Sequence, residues 1–145
     1  MEMPHEIGFT IDQLEVGMTR KFAKTITEAD IVMFAGVSGD INSVHLNQKA
    51  AEKGIFGGRI AHGMLSAGLI SACIANKLPG PGTVYLAQNL KFRAPVRPGD
   101  TVTATVTVRA IEHSKNRVSL ETICDVDGKT VIEGDALVLA PKAME

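Results

Sequence analysis

The stretch Ile60-Ala61-His62-Gly63-Met64-Leu65-Ser66-Ala67-Gly68-Leu69-Ile70-Ser71-Ala72-Cys73-Ile74-Ala75-Asn76 contains no Asp, Glu, Lys or Arg, and it lies between Arg59 and Lys77. It is the longest uncharged run in the sequence. It falls short of the roughly 18–20 apolar residues that cross a bilayer, and it includes His62, Ser66, Ser71, Gly63 and Gly68. A segment apolar on nearly all sides is read as a helix wrapped by protein. The expectation is a buried helix over about residues 63–77, stopped by the breaker Pro79-Gly80-Pro81-Gly82.

Beyond that breaker the period changes from helical to two. Val84, Leu86, Leu90 and Phe92 alternate with Tyr85, Ala87, Asn89, Lys91 and Arg93, and Val102, Ala104, Val106, Val108 and Ala110 alternate with Thr101, Thr103, Thr105, Thr107 and Arg109. Both runs are strands. Pro98-Gly99-Asp100 is a turn joining them, and Asp127-Gly128 marks a hairpin between residues 118–126 and 129–139. This half is an antiparallel meander or a rearrangement of one.

Upstream, a short strand is expected near residues 19–24. Thr27, followed three residues later by Asp30, has the form of a capping box with Asp in place of Glu or Gln. That helix should turn Ile31, Val32, Phe34 and Ala35 inward and break at Gly36 and Gly39. A second short helix is expected over about residues 47–53, closed by Gly54. One strand, a few short helices, one buried helix and four further strands make an α+β domain in which a sheet wraps a central helix.

Length and composition agree with a single domain over residues 1–145. Hydrophobic residues are 45% and charged residues 21%, an ordinary globular balance. Fifteen Lys and Arg against 16 Asp and Glu give a net charge of −1, which argues against nucleic acid as a partner. Trp is absent, so the core must be aliphatic. Cys73 and Cys124 match no metal or redox spacing and fall in apolar stretches, where thiols pack as small hydrophobes. They suit a reducing, cytoplasmic setting. Residues 1–6 are acidic and lack the basic start and apolar run of a secretory signal.

The densest chemistry lies in Ser38-Gly39-Asp40-Ile41-Asn42-Ser43-Val44-His45. A carboxylate, an amide and an imidazole within six positions can hold one water, with His45 taking its proton, Asn42 positioning it and Asp40 orienting it or exchanging protons. The alternative is structural: Asp40 and Asn42 make Asx-turns and His45 caps or packs. His62-Gly63 precedes the buried helix, where first-turn amides have no helical acceptor, so the Gly63 N–H can meet an oxygen that gains charge. The alternative there is that Gly63 only allows close packing and His62 caps. Gly54-Ile55-Phe56-Gly57-Gly58 lacks the Lys-Ser or Lys-Thr of a phosphate loop, and Asp40-x-Asn42 lacks the Gly and Glu of a calcium loop. No metal site is expected. His113 is placed at a strand end and His5 in a loose terminus.

Three blocks, Ala35-Gly36-Val37-Ser38-Gly39-Asp40-Ile41-Asn42-Ser43-Val44-His45, Arg59-Ile60-Ala61-His62-Gly63-Met64-Leu65 and Ala94-Pro95-Val96-Arg97-Pro98-Gly99-Asp100, resemble in order and spacing the MaoC-like dehydratase family, particularly its single-domain (R)-specific enoyl-CoA hydratases. The resemblance implies a hot-dog fold, an antiparallel five-stranded sheet wrapped around a central helix, working as a homodimer. It implies an acyl-CoA thioester substrate and no separate cofactor, coenzyme A being part of the substrate, with neither nucleic acid nor membrane as partner. Asp40 and His45 become the catalytic pair that adds water to a trans-2-enoyl-CoA, with Asn42 positioning the water and the Gly63 N–H as oxyanion donor. Ser43 stands where the family has proline. More weakly, the resemblance points to Ser71 facing the active site, to Ile74 and Leu139 lining an acyl pocket, and to Lys91, Arg93, Arg97 and Arg109 as candidates for the coenzyme A phosphates. The competing readings are a thioesterase on the same fold, which would generally lack the Asp40-x-Asn42-x-x-His45 block, and a non-catalytic acyl-CoA-binding module.

Overall fold

The structure is a computed structural model that describes residues 7–143, so His5 lies outside the described residues. In chain order the elements are β1 (Thr19–Thr25), α1 (Glu28–Ser38), α2 (Ser43–Leu46), α3 (Gln48–Glu52), α4 (Gly63–Asn76), β2 (Val84–Phe92), β3 (Thr101–Glu112), β4 (Arg117–Val126) and β5 (Lys129–Leu139). The strands form one antiparallel sheet in the order β1-β3-β4-β5-β2, a meander of β3, β4 and β5 flanked by the two earlier strands. The sheet curls around α4, giving the α+β hot-dog arrangement.

The strand alternation translates directly into packing. Val102, Ala104, Val106 and Val108 of β3 and Val118, Leu120 and Cys124 of β4 are buried against Ala67, Leu69, Ile70, Cys73 and Ile74 of α4. Each fully buried Ile, Leu or Val contributes about 1.5–3 kcal/mol by leaving water, so this aliphatic layer carries the fold without Trp. Both thiols are free and buried. Burial pushes the Cys124 thiol up to about 12, which leaves it protonated and inert. The Asp127-Gly128 hairpin holds as expected: φ is 50° at Asp127 and 81° at Gly128, the paired positive values of a type I′ turn.

Two expectations need correcting. First, α4 is covered on one side only, because the sheet curls around a single face and leaves Met64, Gly68 and Ser71 exposed. Second, α1 runs through Gly36 to Ser38 and ends at left-handed Gly39, whose N–H donates to the Ala35 carbonyl. It buries Ile31 and Ala35 but leaves Val32 55% exposed, since a helix lying on the surface covers only a narrow stripe. The strand β2 forms where the alternation puts it; Val84, Leu86 and Phe92 stay about half-exposed because β2 is an edge strand, and its register shifts between Tyr85 and Ala87. Pro98-Gly99-Asp100 joins β2 to β3 as expected, and the two strands lie at different places in the sheet. The Gly99 N–H and Asp100 carbonyl bond to Ile26, just ahead of α1.

At the start of α1 the capping box is complete. Thr27 Oγ1 accepts from Asp30 N–H at 3.1 Å and Asp30 Oδ2 accepts from Thr27 N–H at 2.9 Å. Together with the Gly39 stop, this sets the length of α1 and therefore where the loaded loop begins.

Candidate active site

Local hydrogen bonding builds the loop one step at a time. Asp40 N–H donates to Ser38 Oγ at 3.1 Å, Asn42 N–H donates to Asp40 Oδ1 at 3.3 Å, and Asn42 Oδ1 accepts from Val44 N–H at 3.1 Å as the N-cap of α2. An Asx-turn followed by an N-cap thus places His45 on the single turn of α2. The structural alternative considered for Asp40 and Asn42 is therefore realised, and it is also what sets Asp40 against His45. The four-residue α2 escaped the sequence reading, as no apolar periodicity shows in so short an element.

His45 is 8% exposed, and its Nδ1 lies 2.8 Å from the Ile60 carbonyl. A carbonyl only accepts, so Nδ1 carries the proton and Nε2 is left as the acceptor. Nε2 stands 3.9 Å from Asp40 Oδ2. That is too long for a direct hydrogen bond, and a water at ordinary distance can touch both. The Asp40 carboxylate is half exposed, so it faces an accessible space.

That space is a cavity of about 440 Å³ bounded by Asp40, His62, Gly63, Ser66, Phe92 and Ile132; His45 does not line it and lies behind its neighbours Asp40 and His62. Its remaining walls are mainly apolar, among them Ile60 and Val96. Gly63 opens α4, and its N–H is accepted by no group among the described residues, as geometry requires of a first-turn amide. A Cβ at this position would lie 2.6 Å from Phe92 Cε1. Only glycine lets the helix start pass this close beneath the ring.

His62 and Arg59 complete the surroundings. His62 is 2% exposed, donates from Nε2 to the Asp40 carbonyl at 2.9 Å, and stacks on His45 with ring centroids 3.8 Å apart and planes at 26°. Arg59 donates from Nε to the His45 carbonyl at 2.6 Å and from its terminal nitrogens to both Glu28 oxygens, at 2.6 and 3.0 Å. The Arg59 guanidinium holds the Glu28 carboxyl below its usual range, and the fork ties the first turn of α1 to α2. The sequence reading left His62 as a capping alternative and missed Arg59 and Phe92. The available signal was their company: both polar residues flank Gly63 within the second block.

The other candidates are scattered. Ile74 belongs to the core under the sheet, Ser71 is on the exposed face of α4, Leu139 ends β5 half-buried, and none of the three borders the cavity. Arg97 is spent on the Phe56, Gly58 and Arg59 carbonyls and Arg109 pairs with Glu121, whereas Arg93 borders the cavity while paired with Glu133. Lys91 is exposed on β2, and His113 sits in an exposed turn after β3.

Asp40, His45 and His62 bring one potential ligand atom each within 4.8 Å of one another. Their arrangement does not suit a metal. Imidazole binds through a lone pair in the ring plane, and two rings stacked 3.8 Å apart aim those lone pairs along separate planes. His45 Nδ1 and His62 Nε2 are also already bonded to carbonyls.

Comparison with known proteins follows the same lines. Residues 12–130 match the family model described as a MaoC like domain. An (R)-specific enoyl-CoA hydratase of Rhodospirillum rubrum is 53% identical over 130 residues, 90% of each chain. A 3-hydroxybutyryl-CoA dehydratase of Methylorubrum extorquens is 46% identical over 134 residues, covering 92% of this chain and 85% of the relative. Among solved structures, an R-hydratase of Pseudomonas aeruginosa in its unliganded form superposes with a TM-score of 0.88 at 44% identity, covering 94% of this chain and 88% of that one.

Proposed function

This chain belongs to the MaoC-like dehydratase family, and on that premise we propose that it hydrates trans-2-enoyl thioesters of coenzyme A at the cavity that Asp40 borders, with His45 behind it. The reaction is that of a hydro-lyase, the reversible conversion of a 2-enoyl thioester to the (3R)-hydroxyacyl thioester. The observation that carries this reading is the 3.9 Å separation of His45 Nε2 and Asp40 Oδ2, with Asp40 bordering a largely apolar cavity that Gly63, whose N–H has no acceptor among the described residues, also borders.

Conjugation with the thioester carbonyl makes C3 of the substrate electrophilic. His45 Nε2 takes a proton from the water as its oxygen bonds to C3, and the electron pair of the double bond moves onto the thioester oxygen. The Gly63 N–H meets that oxygen, an interaction worth about 3 kcal/mol in comparable sites. Asp40 receives that proton from His45, whose Nε2 stands 3.9 Å from its Oδ2, and delivers it to C2. Both side chains end as they began, so the cycle needs no cofactor beyond the coenzyme A that the substrate carries. Asn42 has committed Oδ1 to Val44 N–H, which leaves its Nδ2 to orient the water.

The working form is a homodimer in the cytoplasm, each chain a single hot-dog unit. Support for the dimer comes from β2, an edge strand with exposed Val84, Tyr85 and Leu86, and from Met64 on the uncovered face of α4. Long apolar edges are what soluble monomers avoid. Among the described residues no helix is long and apolar enough to cross a membrane.

The test follows the enoyl thioester absorbance of crotonyl-CoA alongside a free-thiol assay, with the configuration of the 3-hydroxy product determined. Loss of absorbance without thiol release, giving the (3R) product, is expected. Thiol release would instead assign a thioesterase, and neither signal would leave only binding.

A further inference from the structure

We propose that His62 is a positioning residue for the reaction, fixing Asp40 through its backbone and supporting the charged form of His45 through its ring face. The inference rests on the catalytic reading of Asp40 and His45 given above and extends it to a third side chain.

His62 touches both members of the pair by different means. Its Nε2 lies 2.9 Å from the Asp40 carbonyl oxygen, which can only accept, so Nε2 bears the proton and Nδ1 does not. Nδ1 is buried and has no partner among the described residues. A proton there would be a buried donor without an acceptor, which is costly. The His62 ring lies under His45 at 3.8 Å, with Phe34 packed at 4.8 Å, and presents its π face to an imidazole that becomes cationic when it takes the proton from water. Such a face favours the cation.

The remaining polar surroundings of His45 are few. Asp40 faces its Nε2, Ile60 O holds its Nδ1, and Arg59, paired with Glu28 of α1, bonds its backbone carbonyl. The Arg59 charge is neutralised by Glu28, so the groups that act on the His45 ring are Asp40 and His62. The hydrogen bond to Asp40 O acts on geometry instead. It ties the loop residue that bears the carboxylate to the N-cap of α4, whose next residue carries the Gly63 N–H. His62 thereby couples the two halves of the site.

The two roles separate by substitution. His62→Phe keeps a ring against His45 and loses the bond to Asp40 O. The expected result is a roughly tenfold fall in kcat, about 1.4 kcal/mol, with the acid limb of the kcat/KM profile in place. His62→Gln keeps a donor at the position of Nε2 and loses the ring. Without the ring face the imidazolium that forms at His45 is less favoured, and the acid limb moves to lower pH. Nitrogen-15 spectra of the wild-type histidines test the tautomers with no variant: His62 protonated on Nε2 and His45 on Nδ1 are expected. The opposite tautomer at His62 overturns the proposal. So do two variants with wild-type kcat and pH profile, or two that lose activity equally with the limb unmoved and the melting temperature lowered in parallel. A wild-type enzyme that does not hydrate crotonyl-CoA refutes the catalytic reading itself, an outcome distinct from these.

Discussion

Replacing Gly63 with alanine separates catalysis from stability at this site. The new methyl would sit 2.6 Å from Phe92 Cε1 and 2.8 Å from Cδ1, where carbon contacts settle at about 3.5–4.0 Å. Ring or helix start must therefore give by close to 1 Å. Phe92 is 53% exposed and can swing outward, and alanine is a better helix former than glycine by up to about 1 kcal/mol. The net change in unfolding free energy should stay within about 1 kcal/mol, a few degrees in melting temperature for a chain of this size. Catalysis has no such relief, because the displaced ring borders the cavity and the methyl crowds the amide that meets the thioester oxygen. Loss of most of an oxyanion contact, about 3 kcal/mol, is about a hundredfold in rate. Steady-state hydration of crotonyl-CoA should show kcat/KM lowered by about 30- to 100-fold, while thermal unfolding changes little. Adding Phe92→Leu, which shortens the colliding side chain, should restore part of the loss. A Gly63→Ala enzyme within threefold of wild type would refute the assignment of this amide.

Asp40→Ala and His45→Ala should each lower kcat by at least about 10²-fold with an unchanged circular dichroism spectrum; either variant retaining most of its activity removes that residue from the proposed proton path. Ser43→Pro should stabilise the protein by about 0.4–1 kcal/mol in urea unfolding with activity retained, because Ser43 is the first residue of α2, where proline is favoured, and Asn42 before it already has φ −56° and ψ 137°. A destabilised variant would show that the loop needs the Ser43 N–H. Asp30 has its carboxyl held below the usual range, first by the Lys24 ammonium and then by the Thr27 N–H. A lowered folded-state pKa stabilises above the unfolded value near 3.8 and is lost as pH falls through the folded value. Asp30→Asn should therefore be less stable than wild type at pH 7 by under about 1 kcal/mol, and the gap should close below about pH 4; a gap that persists at low pH would contradict this origin.

Much of this fold can be read from local chemistry. The Thr27 and Asp30 box, the Asp127-Gly128 turn and the alternation of β3 depend on residues close in sequence, and each appears where the pattern puts it. Val32 and the outer side of α4 show where such reading stops: they are apolar positions of the right period, yet period says only which residues share a face and not whether anything covers that face.

The site divides in the same way. Asp40, Asn42 and His45 are joined by hydrogen bonds spanning two residues and a single helical turn, so their spacing already implies a common loop. His62 stacking on His45, Arg59 bridging α1 to α2, and Phe92 lying over Gly63 are contacts between segments 14 to 31 residues apart. The uncharged run at residues 60–76 announced a helix packed within the protein, and its own composition sufficed for that. Which side of the helix the sheet would cover, and which imidazole would lie beneath His45, depended on strands and loops brought together from distant positions, because packing is a property of pairs of surfaces and one stretch of sequence carries only one of them.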